Sequence, residues 1–192
     1  MKHILKFARI VALMGGISCI ANAADETPSA ADSAAQAQTA LAAQDAKMAV
    51  KLYEQAIALS PNDPDLQTTY ANALAVRINE VNFMTKGMIA SKMLKAYQRS
   101  VELDPNHIVG WIGQCRYYLN APAIAGGSAD KAEKFANEVM ARVPFLGHVE
   151  LALVAEKRGD KTKAAEHFQA ALDLMPDHRE AIAGLERVTA ES

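Results

Sequence analysis

Apolar and small residues recur at helical spacing along most of this chain. In AVKLYEQAIALSPND, Ala49, Tyr53, Ala56 and Ile57 share one face of a helix and polar residues take the other. Three later segments, MLKAYQRSVELDPNH, KAEKFANEVMARVPF and KAAEHFQAALDLMPDH, have the same form. Each ends in a proline, at Pro61, Pro105, Pro144 and Pro176. Proline has no amide hydrogen and biases the residue before it away from helix, so each predicted helix stops there. The spacing also repeats. A small residue, an aromatic one turn on and a closing proline are found at Ala49, Tyr53 and Pro61, and again at Ala164, Phe168 and Pro176. Met93, Tyr97 and Pro105 put a methionine in the small slot. Ala132, Ala136 and Pro144 have Phe135 one place early.

That spacing is the second half of a tetratricopeptide repeat, and Trp111 with Tyr118 supplies the W…Y of the first half. Cys115 falls where a small side chain lets two helices approach. Leu151, Ala152 and Gly159-Asp160 take the first-helix and turn positions of the last unit. The predicted fold is all-α: a right-handed α-solenoid of about 3.5–4 helix-turn-helix repeats closed by a C-terminal capping helix. The repeats are placed at 31–61, 62–105, 106–144 and 145–176, and the cap at 177–190 with Ile182, Leu185 and Val188 inward. The first two proline intervals exceed the roughly 34-residue period, and the last falls just short of it. The first excess, in RINEVNFMTKGMIASK, reads as a pair of helices each lengthened beyond the usual repeat.

The second excess is APAIAGGSADKA, Ala121 to Ala132. Pro122 breaks one helix, Gly126-Gly127 can take positive φ, and Ser128 can cap the next helix with Asp130 in its first turn. A phosphate loop needs G-x-x-x-x-G-K-[ST] after a strand. Lys131 follows Gly127 by four with no Ser or Thr after it, so that chemistry is excluded. This element, following FMTKGMIASKMLKAYQRSVELDPNHIVGWIGQCRYYL, resembles an A-P-x-I-x-G-G-[SD]-x-x-K-A element of exported bacterial tetratricopeptide proteins. The resemblance spans about Asn82 to Pro176 and implies fold, export and partner binding, not a reaction. Exported repeat proteins that accompany solute-binding transporters are similar in size and address.

The N-terminus supports the same address. MKHILKFARIVALMGGISCIANA has cations at Lys2, Lys6 and Arg9, an apolar run from Ile10 to Ile20, and the A-x-A site Ala21-Asn22-Ala23. This reads as a secretory signal peptide over 1–23, cut after Ala23 and followed by a flexible segment at 24–30. The apolar run is too short to span a bilayer, and the Leu that precedes a lipidated cysteine is missing before Cys19. The expected address is periplasmic or secreted, with no membrane insertion after cleavage. Removing this leader takes three cations and no acids from a chain of formal charge −2, leaving an acidic remainder of about 170 residues. There is no basic stripe, so no nucleic-acid partner is expected. Cys115 alone remains, and an internal disulfide is impossible.

Catalytic and metal signatures are absent. His107, His148, His167 and His178 never lie three or four apart, and no H-E-x-x-H, G-x-S-x-G or Cys-His pattern occurs. The reading is no enzyme, no cofactor and no metal. Met84, Met88 and Met93 read first as core filling and second as an adaptable apolar surface. The expected function is a protein–protein interaction scaffold of the cell envelope; the alternative is a carrier of a small apolar ligand, or an accessory of a solute transporter. Nothing indicates self-association. The binding face is expected on the first helices of the pairs: Asp65, Thr68, Asn72 and Val76; Val109, Ile112, Arg116 and Leu119; Leu146, Val149, Leu153 and Glu156. There Arg116 would meet a partner's carboxylate or backbone carbonyl.

Overall fold

A computed structural model describes residues 28–190. The expected signal peptide at 1–23 lies outside the described residues, as do 24–27 of the expected flexible segment. The rest of that segment starts the first helix. Ser29 and Asp32 cap each other's backbone amides at 3.1 Å, and α1 runs Ala30–Ala42.

The other helices follow the apolar periodicity. They are α2 (Ala46–Leu59), α3 (Pro64–Arg77), α4 (Phe83–Leu103), α5 (Ile108–Asn120), α6 (Ala129–Arg142), α7 (Pro144–Lys157), α8 (Lys161–Leu174) and α9 (Arg179–Ala190). Among the described residues there is no strand. Each odd-numbered helix pairs with the next, giving four antiparallel pairs, and α9 covers the last. Starts are capped where the sequence supplies the oxygen: Asp45, Asp63, Asn82, Ser128 and Asp160 each accept an amide of the following turn. No helix among the described residues is long and apolar enough to cross a membrane.

The small-residue slots are the contact points. Ala49, Ala132 and Ala164 are fully buried, and Tyr53 and Phe168 fill the space beside the first and last of them. Two glycines do related work. A Cβ on Gly113 of α5 would strike the Tyr97 ring of α4, and one on Gly184 of α9 would strike the Phe168 ring of α8. Each glycine lets the following helix lie directly on an aromatic of the preceding pair.

Three sequence expectations change. Only α4 is lengthened, at 21 residues; α3 has 14, like α2, and a short 3₁₀ turn, Ile78–Glu80, follows it. The extra turns of α4 protrude, so Met84 and Met88 are 84% and 64% exposed beside the 78% exposed Phe83, and do not fill the core. In the cap, Val188 is buried, but Ile182 faces outward because Ala181 and Gly184 hold the contact with α8.

Candidate interaction site

The first helices α3, α5, α7 and α9 lie side by side. Every polar residue expected to face a partner there already has one within the chain. Asp65 meets His107 Nε2 at 2.9 Å. Asn72 Oδ1 accepts from the Tyr97 hydroxyl at 2.7 Å. Arg116 donates to Glu150 of α7 from Nε at 2.9 Å and Nη2 at 2.6 Å, and to Glu180 of α9 from Nη2 at 2.7 Å. Glu156 of α7 accepts two bonds from Arg187 of α9, at 2.6 and 2.7 Å.

The apolar members and Thr68, whose hydroxyl donates to the Asp65 carbonyl at 3.0 Å, divide. Val76 and Val109 are exposed, and Ile112, Leu146 and Leu153 are half-buried. Thr68, Leu119 and Val149 are buried and present no surface to a partner. The register explains this: on a helix packed on both sides the outward strip is narrow, and these three fall past its edge. The structure therefore does not gather the twelve residues into one open groove. Arg116's expected partner carboxylate is also supplied internally. With Glu150 fully buried and Glu180 beside it, a further anion would meet two acids around one cation.

Sequence reasoning missed Glu150. Its signal was a single acid inside the apolar run LALVA and its upstream turn, a place that demands a partner once buried. Burial pushes its carboxyl above the ordinary value, and the two-pronged Arg116 contact pulls it back. Cys115, next to Arg116, is fully buried and its thiol points to the Ala132 carbonyl at 3.3 Å. Burial pushes the thiol well above its usual value, which leaves it inert.

What remains open is a cavity of about 450 Å³ beside Arg116, where the second and third pairs meet. Ala75, Ile78 and Asn79 form one wall, Ala90, Met93 and Tyr97 of α4 a second, and Gly113, Arg116, Tyr117 and Asn120 of α5 a third. The loop after α5 closes one end through Ala121, Pro122 and Ala125. The space exists because Ala75, Ala90 and Gly113 reach least into it, while the long α4 and the loop extend its walls.

The glycine pair builds that end wall. Gly126, not Gly127, has the positive φ, at 85°. Gly127 is needed for another reason: a Cβ there would collide with the Ala121 carbonyl. The Tyr117 hydroxyl donates to the Ala125 carbonyl at 3.0 Å, and the Ser128 amide to the Tyr118 carbonyl at 2.8 Å, fastening the loop to α5. Arg116, held by its bonds to Glu150 and Glu180, lines the cavity. Asn120 donates to the Arg116 carbonyl at 2.9 Å and keeps its own side-chain oxygen as an acceptor. The cavity is thus lined mainly by apolar groups, with Arg116, fixed by two carboxylates, and Asn120 among its polar neighbours. Among the described residues no group of three or more His, Cys, Asp or Glu is placed to hold a metal.

The last pair, residues 145–178, matches the tetratricopeptide repeat family. No curated protein sequence matches the chain. Solved structures match the fold. MamA from Desulfovibrio magneticus RS-1 superposes with a TM-score of 0.60 at 18% identity, covering 84% of each chain. A thermophilic tetratricopeptide protein from Thermus thermophilus gives 0.54 at 14% identity, covering 84% of this chain and all of its own. Yeast Tom70 gives 0.50 at 16% identity over 85% of this chain and 40% of that one. The architecture is that of a tetratricopeptide α-solenoid with a C-terminal capping helix.

Proposed function

We propose that this protein is a non-catalytic interaction module of the cell envelope. A largely apolar segment of another protein would dock at the cavity between its second and third repeats. One observation carries the reading: the polar groups expected on the first-helix face are bonded within the chain, and the cavity beside Arg116 is left open. An apolar side chain would fill the space between Ala75, Ala90 and Met93. A backbone carbonyl, neutral and a good acceptor, suits the Arg116 guanidinium, already beside two carboxylates, better than a further carboxylate does. The envelope address rests on the leader pattern at 1–23.

A variant that fills the space without touching a bonded group, Ala75→Phe, tests this. Displayed peptides retained by the parent should be lost on the variant while helicity stays native and the melting temperature is not lowered. Equal retention by both overturns the site. A second reading, carriage of a small apolar ligand, draws on the cavity volume, which lies in the range of small-molecule pockets. Native mass spectrometry after incubation with envelope extract separates the two: a discrete added mass, absent from Ala75→Phe, supports the carrier.

A further inference from the structure

His148 of α7 and His167 of α8 are 19 residues apart in sequence and meet in the fold with Nδ1 to Nδ1 at 3.1 Å. Their ring centroids are 5.4 Å apart and the planes are tilted by 40°. Inspection along single helices could not find this pair, because its members come from the two helices of one repeat. We propose that His148 and His167 form a binding site for one divalent transition-metal ion of the nitrogen-preferring class, Cu²⁺ foremost, with solvent completing the coordination.

The argument is geometric. A metal ion binds imidazole nitrogen at about 2.0–2.1 Å. Two such bonds to donors 3.1 Å apart enclose an angle of roughly 100°, between the square-planar and tetrahedral values these ions adopt. Without metal, one ring must donate its Nδ1 hydrogen to the other. An ion takes that hydrogen's place, and the proton moves through solvent to the same ring's Nε2, so no net charge is lost from the rings. Lys163, the cation on the same face of α8, lies 3.2 Å from the Asp160 carboxylate, which offsets its repulsion of an ion. Both helices are held by the fully buried Val149, Ala152, Ala164 and Phe168, so the two rings are presented on a rigid frame. With two protein donors the site is open, and Cu²⁺ leads because it binds nitrogen donors most tightly of the first-row divalent ions.

The test is titration of the untagged protein with CuCl₂ and with ZnCl₂ at pH 7.5, read by calorimetry, with electron paramagnetic resonance of the Cu²⁺ form. The expected result is one ion per chain, a signal with nitrogen couplings from two imidazoles, and a higher melting temperature with metal. His148→Gln and His167→Gln should each weaken Cu²⁺ binding at least tenfold and remove one nitrogen from the signal. His178→Gln should change neither. Native circular dichroism of the variants without metal separates loss of a ligand from loss of fold, and the resonance signal does so independently. The proposal is overturned by absence of one-to-one binding in the parent, or by undiminished binding in both His148→Gln and His167→Gln. Loss on His178→Gln alone overturns it equally.

Discussion

The two halves of the solenoid use one repeat pattern to opposite ends. From α5 to α9 the first helices are tied together: Arg116 reaches both Glu150 and Glu180, and Arg187 grips Glu156. The core beneath them is closed, with Val149, Ala152, Phe168 and Ala171 fully buried. Between α3 and α5 the tie is the single Asp65–His107 contact, and a cavity opens beside it. The difference lies in the small slots. Where alanine fills the slot beside an aromatic, as at Ala164 and Phe168, the helices close. Where Met93 takes the small slot, α4 is lengthened and a loop is inserted, the same packing leaves a gap. In a repeat array, an open cavity can come from disturbing the pattern at one joint.

Several measurements would break or sharpen that contrast. The largest effect is expected from Arg116→Ala, which strands the buried Glu150. Breaking a buried pair from one side costs about 3–5 kcal/mol, and the partly exposed Arg116 puts the loss near 3 kcal/mol, or roughly 6–12 °C in melting temperature. The double variant Arg116→Met, Glu150→Leu should regain most of it in urea unfolding. A smaller loss would mean that the C-terminal half does not depend on its ties.

Next comes one substitution made at both sites. Ala152→Leu overfills a closed core and should lose about 1–3 kcal/mol, whereas Ala75→Leu enters the cavity and should gain about 0.5–2 kcal/mol. Equal destabilisation by both would remove the contrast between the halves. Gly127→Val should lose a similar 1–3 kcal/mol through its clash with the Ala121 carbonyl, read as earlier thermal unfolding.

The pH dependence is gentler. His167 titrates below its unfolded value near 6.5, so the unfolded chain takes up a proton first. Stability is full above that value and declines as pH falls through the lower folded value. His167→Gln should flatten the decline between about pH 7 and pH 5 in a series of melts. Least of all, Met84→Lys on the protruding end of α4 should shift stability by no more than about 0.5 kcal/mol.

Much of this was legible in the sequence because helices and their punctuation are local. The four closing prolines, the Tyr53 and Phe168 anchors and the turn at Gly159, with its φ of 80°, follow from spacing and turn chemistry. The slot assigned to Cys115 is likewise buried. What could not be read depends on the rotation of one helix against the next. That rotation buries Thr68, Leu119 and Val149 and gives Arg116 an internal carboxylate. It also brings His148 to His167. Periodicity says which face is apolar, but a helix covered on two sides has no single answer. The share of the extra length between α3 and α4 was ambiguous for a related reason: both flanks kept helical periodicity, and only the cap at Asn82 decides where the break falls.

The ion pairs also set how the molecule bends. Opening the face of α5, α7 and α9 stretches several charged bonds at once, so that part turns as a stiff block. Opening it between α3 and α5 stretches, among the described residues, the Asp65–His107 contact, whose acid is exposed. Compliance is therefore concentrated at the joint that holds the cavity. A wedge entering there, as proposed, would widen its own seat and swing the two ends of the array apart like the arms of a clasp.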